Sequence, residues 1–220
     1  PSSTAINLGT GRTAVAVSTG EFHTCAILDN GDLKCWGRDQ YGRLGDGGTS
    51  TDIYAPSSTA INLGTGRTAV AVSAGNYHTC ATLDNGDAKC WGRDNDGQLG
   101  DAGTSTDIYA PSSTAINLGT GRTAVAVAAG SYHTCATLDN GDLKCWGRDN
   151  EGALGDGGSN TNQVSPVAVS GSNTWDSSTG ASSGSGSGSS SSSSFAYAND
   201  KASAGYQHTC AILDNGDLKC

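Results

Sequence analysis

The chain repeats itself: residues 1–55 recur almost letter for letter as residues 56–110, and again in altered form from Pro111. The markers keep strict phase, with His23, His78 and His133 spaced by 55 residues and Trp36, Trp91 and Trp146 spaced likewise. A fourth copy is stretched. Pro166 falls on phase, but His208 follows it by 42 residues where Pro1 precedes His23 by 22, so 20 residues are inserted, in a serine- and glycine-rich stretch at about 171–195. The units are thus 1–55, 56–110, 111–165 and an incomplete 166–220. A short repeat of this kind does not bury its own apolar surface and becomes stable when neighbours stack on it in a line or ring. Function is expected on the assembled surface.

Within the first unit, Thr13-Ala-Val-Ala-Val-Ser18 alternates Val with Ala, which suits a strand packed on both faces. His23-Thr-Cys-Ala-Ile-Leu28 reads as a second strand, Asp29-Asn-Gly31 as a turn, and Asp32-Leu-Lys-Cys-Trp36 as a third strand. A short fourth strand is expected near Asp52–Ala55 or Ala5–Leu8, and no window has helical periodicity. Four short strands per unit is the size of one propeller blade, so the fold class is all-β.

The eight cysteines form four pairs of one spacing: Cys25/Cys35, Cys80/Cys90, Cys135/Cys145 and Cys210/Cys220. If Asp29-Asn30-Gly31 is a three-residue loop with Gly31 left-handed, Leu28 pairs with Asp32, Ile27 with Leu33, Ala26 with Lys34, and Cys25 with Cys35. The cysteines then face each other at a non-hydrogen-bonded pair, where a cross-strand disulfide can form. A two-residue Asn-Gly turn would instead set Cys25 against Trp36. Even cysteine number at fixed spacing in an acidic, lysine-poor chain reads as a disulfide framework, and so as an extracellular or cell-surface protein.

A net charge of −9 with pI near 4.6 disfavours binding to phosphate backbones. No apolar run approaches membrane-spanning length. The chain has no Met, begins on a Pro and stops at Cys220, one position before the Trp-Gly that phase would place there, so it reads as a piece of something longer. No leader can be judged from such a start.

The segment Val72–Gly100 carries Gly-Asn-Tyr-His-Thr, Asp-Asn-Gly-Asp, Cys-Trp-Gly-Arg and Gly-Gln-Leu-Gly in one order and spacing. This pattern resembles the regulator of chromosome condensation repeat, through the three complete units and the fourth from about Ala204. The resemblance implies a seven-bladed β-propeller, of which about 385 residues at this repeat length would be a full ring. The present chain then supplies an arc, completed by further sequence or by other copies. Members of the family include a nucleotide exchange factor, parts of signalling proteins and a secreted inhibitor. The paired cysteines resemble the version found in exported microbial proteins.

His23, Cys25 and Cys35 could form a metal site with an open position, but their recurrence in every unit favours structure: bridged cysteines and a histidine bonded between blades. Asp94, Asp96 and Asp101 invite calcium, yet Tyr41 and Glu151 replace Asp96 in the other units and the terminal bidentate Glu is missing, so a structural turn is favoured. The Trp of each Cys-Trp-Gly is expected in interblade core. Trp175, Phe195 and Tyr197 fall in the insertion, which reads as a solvated loop or as an arm whose aromatics contact a partner. No catalytic constellation and no cofactor motif stands outside the repeat. The expectation is a non-enzymatic exported propeller protein, a structural, adhesive or filament-forming module that binds a protein partner or copies of itself. A secreted binder or inhibitor is the alternative, and guanine nucleotide exchange is less favoured.

Overall fold

The computed structural model describes residues 5–48, 50–103, 105–158 and 160–170, together with the backbone of three further strands, Ala202–Ala204, Thr209–Ile212 and Leu218–Lys219. The insertion with Trp175, Phe195 and Tyr197 lies outside the described residues, as do the side chains of His208, Cys210 and Cys220.

Each unit folds as an antiparallel meander. The first blade is β1 (Ala14–Thr19), β2 (His23–Leu28) and β3 (Leu33–Gly37); the second is β4 (Ala69–Ala74), β5 (His78–Leu83) and β6 (Ala88–Gly92). The third is β7 (Ala124–Ala129), β8 (His133–Leu138), β9 (Leu143–Gly147) and β10 (Gln163–Ala168). The last three strands, β11 (Ala202–Ala204), β12 (Thr209–Ile212) and β13 (Leu218–Lys219), make a fourth sheet. Strands β1, β4 and β7 come together as the innermost strands of successive blades. These are β-propeller blades.

The hairpin closes through a three-residue loop. Leu28 N–H donates to the Asp32 carbonyl at 2.9 Å and Gly31 N–H to the Leu28 carbonyl at 2.8 Å, with Gly31 at φ 81°, a region glycine enters without steric cost. The register that follows is Ile27 with Leu33, Ala26 with Lys34 and Cys25 with Cys35, repeated in the next two blades. Trp36 faces Thr24, so the two-residue turn is not used.

Two expectations change in detail. A full fourth strand, β10, forms in the third blade, whereas the first two blades make single bridges there, Gly37 with Ile53 and Gly92 with Ile108. The inner strand packs on both faces in the second blade, where Ala69, Ala71 and Ala74 are buried and Val72 packs against core, but it carries a bulge. The pairing shifts between Ala14 and Ala16, leaving Val15 as an extra residue in the ladder, and the same shift recurs at Val70 and Val125. All three valines stay exposed, at 48%, 39% and 55%. Short 3-10 turns at Gln40–Gly42 and Asn150–Gly152 follow the third strand of their blades.

The core lies between blades. One cluster joins Cys25, Ile27, Leu33 and Leu44 of the first blade to Ala69, Ala81, Leu83 and Trp91 of the second. The next joins Cys80, Ala88 and Leu99 to Ala124, Ala136, Leu138 and Trp146. Burial of apolar surface therefore depends on having a neighbour, as a stacked repeat requires.

Candidate functional site

The interblade seam is built from a loop that one blade lends to the next. After β3 the chain turns back, and buried Asp39 clasps the turn by accepting the Leu44 N–H at 2.9 Å. Asp94 does the same for Leu99 and Asp149 for Leu154, each at 2.9 Å. The clasp aims the carbonyl of Arg43 at the second blade. There it accepts Thr79 Oγ1–H at 2.8 Å and Trp91 Nε1–H at 3.1 Å. The next seam repeats this with the Gln98 carbonyl, Thr134 at 2.8 Å and Trp146 at 2.9 Å.

Histidine completes the latch. His23 Nε2 lies 2.7 Å from Thr79 Oγ1, and His78 Nε2 2.8 Å from Thr134 Oγ1. Because each threonine hydroxyl gives its only proton to a carbonyl, the histidine must be the donor, which leaves the proton on Nε2 of a neutral ring. Burial, with a smaller contribution from Arg43, pushes His23 down to about 3. His78 also falls to about 3, through burial first and then through His133, His23 and Arg43. Trp91 and Trp146 are fully buried, while Trp36, with no blade before it among the described residues, is half-buried.

Cysteines pair within blades as Cys25–Cys35, Cys80–Cys90 and Cys135–Cys145, with Cα atoms 4.1 Å apart in each. All six are buried. They are therefore not ligands or nucleophiles. The carboxylates weighed for calcium point to separate partners: Asp94 to the Leu99 N–H, Asp101 to the Gly103 N–H and Asp96 to Asn162 Nδ2. Among the described residues, no group of three or more His, Cys, Asp or Glu is placed to hold a metal ion. A cavity of about 540 Å³ beside β6 and β10 is lined by Lys89, Lys144 and Asp101, among others, but by no histidine, and its one cysteine, Cys90, is bridged.

Sequence reasoning missed one feature. At the end of the blades where β1 turns into β2 and β3 exits, guanidinium groups alternate with aromatic rings. Arg38 lies 5.3 Å from the Phe22 ring, Arg93 lies 5.3 Å from both Tyr77 and Tyr132, and Arg148 lies 5.1 Å from Tyr132. Arg43, fully buried, stands 5.5 Å from Tyr77 and donates to the Asn76 carbonyl at 2.7 Å. Tyr77 and Tyr132 stack at 5.2 Å. The signal was present: an aromatic precedes each of His23, His78 and His133, and an arginine follows each complete Trp-Gly.

Antiparallel blades locked side by side by buried Trp and His define a propeller repeat protein. Models of the regulator of chromosome condensation (RCC1) repeat match residues 14–43, 69–98, 124–153 and 200–220, and a second model of that repeat matches 30–82 and 85–137. The chain belongs to the RCC1 repeat family. It is similar to the ultraviolet-B receptor UVR8 of Arabidopsis thaliana, 34% identical over 170 residues, covering 77% of this chain and 37% of the receptor. It is also similar to the human E3 ubiquitin-protein ligase HERC2, 30% identical over 149 residues, 68% of this chain but 3% of the ligase. Among solved structures, human WBSCR16 matches with a TM-score of 0.71 at 20% identity, over 94% of this chain and 46% of that one. Prp20p of Saccharomyces cerevisiae matches with a TM-score of 0.64 at 22% identity, over 73% and 39%. The chain thus spans less than half the length of each of these relatives.

Proposed function

We propose that this chain is a non-enzymatic, exported propeller module that acts by contact with protein surfaces, its blades assembling edge to edge with further blades in a structural or adhesive role. The observation that carries this reading is the open face of the first blade. Trp36 Nε1 and Thr24 Oγ1 have no carbonyl partner among the described residues, whereas their counterparts in the next two blades are latched. Around them, Ile6 and Val17 are 58% and 65% exposed, while Ile61 is 8% exposed and Val72 packs into core. Such a face is covered by a further blade, from preceding sequence or from another copy. Export is supported by the buried disulfides, which persist in oxidising compartments.

A secreted binder is the second reading. It is favoured by relatives whose structures concern protein binding: one is of Kap60 bound to yeast RCC1 (Prp20), and the Prp20p work concerns its binding to Gsp1p and histones. Membership of a repeat family carries no catalytic assignment. Electron microscopy of natively purified material separates the readings. Arcs joined into continuous fibres or larger rings support assembly, a discrete seven-bladed disc with free faces supports the binder, and monodisperse isolated chains overturn both. Alkylation of the cysteines before reduction would overturn export as a disulfide-bonded protein.

A further inference from the structure

The seven arginines divide by their partners. Arg12, Arg67 and Arg122 pair with Asp29, Asp84 and Asp139 at 3.2, 3.3 and 3.5 Å, beside the Asp-Asn-Gly turns. At the opposite end of the blades, Arg38, Arg43, Arg93 and Arg148 rest on rings and make no ion pair among the described residues. In a chain with 21 acidic and 12 basic residues, these four guanidinium groups make no direct ion pair although carboxylates stand nearby, Asp39 acting on Arg43 through space among them, so the forks of the three accessible ones are left for an incoming carboxylate. Buried Arg43 braces the rings. Arg38 is exposed, and Arg93 and Arg148 are partly exposed.

We propose that this arginine–aromatic ladder is a docking surface for an acidic, extended segment of a partner protein, whose carboxylates pair with Arg38, Arg93 and Arg148 while its apolar atoms rest on Phe22, Tyr77 and Tyr132. The inference deepens the contact function proposed above by naming a partner chemistry, and it rests on that reading. Three observations carry it. Guanidinium forks match carboxylates in geometry, and stacking on a ring holds each fork in place before binding, which reduces the entropy lost on contact. Phe22 is 44% exposed beside them, and exposed aromatics with arginine are the composition of energetic centres in protein interfaces. Arg93 and Arg148 flank one ring, so they stand at most roughly 10 Å apart, the span of about three extended residues. A uniformly charged polyanion suits this face less, because the remaining surface repels it.

The test is fluorescence anisotropy of a labelled peptide of about eight residues in which about three glutamates alternate with tyrosine, leucine and serine, titrated with the full chain at low and moderate salt. Saturable binding is expected, weakened about tenfold or more by the double substitution Arg93→Gln and Arg148→Gln and hardly changed by Arg12→Gln on the opposite end. Arg38→Gln, at an exposed position, serves if the double variant does not fold, and is expected to weaken binding several-fold. No binding by the parent chain, or equal loss with Arg12→Gln, overturns the proposal. Tighter binding of a heparin oligosaccharide or single-stranded DNA overturns the protein-segment assignment. Altered sedimentation of the double variant without peptide would make the face a contact between copies, which also overturns it. A chain that assembles but ignores the peptide refutes this inference and leaves the contact function standing.

Discussion

The carbonyl of Arg43 accepts two hydrogen bonds from the next blade, and the two donors are not equivalent. Trp91→Phe removes one of two bonds to that oxygen and also shrinks a fully buried indole to a phenyl ring, so the expected loss is about 3 kcal/mol. Thr79→Val keeps the volume and costs less, about 2 kcal/mol, chiefly because it strands the His23 Nε2 proton in the seam. Urea unfolding of the two variants checks the order. Buried titratable groups add opposing pH slopes. His78 ionises near 6.5 when unfolded and at about 3 when folded, so its contribution is whole above 6.5 and is lost as pH falls toward 3. Asp94 moves the other way. Burial raises it, the Leu99 N–H bond opposes, and Asp101, Asp107 and Asp96 raise it further, to about 7 against 3.8 unfolded. Its contribution is whole below 3.8 and is lost as pH rises through 7. Asp94→Asn, which keeps the acceptor for Leu99, is expected to raise the urea midpoint at pH 8 and to change it little near pH 4. His78→Gln is expected to flatten the decline between pH 6 and 4.

At the scale of the element, the hairpin was legible because its register follows from turn chemistry. A left-handed Gly31 and a three-residue loop place Cys25 opposite Cys35, and both the loop and the pairing are present. The bridge spans a separation of 10 residues, so the chain-entropy gain is modest. Replacing Cys80 and Cys90 together with Ala is expected to cost about 2 kcal/mol, read as a lowered denaturation midpoint with the other pairs intact. The fourth strand was less legible, because among the described residues the third blade alone has a segment that stays extended beside its third strand, where the first two make single bridges. At the seam, a side chain on Gly100 would meet Trp146 Nε1 at 2.5 Å on a backbone with φ 69°. Gly100→Ala is expected to loosen the second and third blades by roughly 2 kcal/mol or more.

For the whole molecule, stability is shared between neighbours, so a blade face left uncovered in the 220-residue chain is where contact with a further blade is expected, whether that blade comes from preceding sequence or from another copy. Val17 and Val15 make a controlled pair. Val17 corresponds to Val72 and Val127, which pack against core, whereas Val15 corresponds to Val70 and Val125, which stay exposed in every described blade. Val17→Asp is expected to reduce self-association in sedimentation velocity over a concentration series, and Val15→Asp to leave it unchanged.

Repeat phase is read from the recurrence of the 55-residue unit, and the three-strand meander, hairpin register and cysteine partners lie within one unit, where local chemistry carries them. The seam and the ladder are different. The His23 to Thr79 bond joins residues 56 apart and the Trp91 to Arg43 bond residues 48 apart. Which groups meet at those separations depends on the angle at which one blade settles on the next. That angle is set by packing across the seam, which no pattern inside a single repeat encodes.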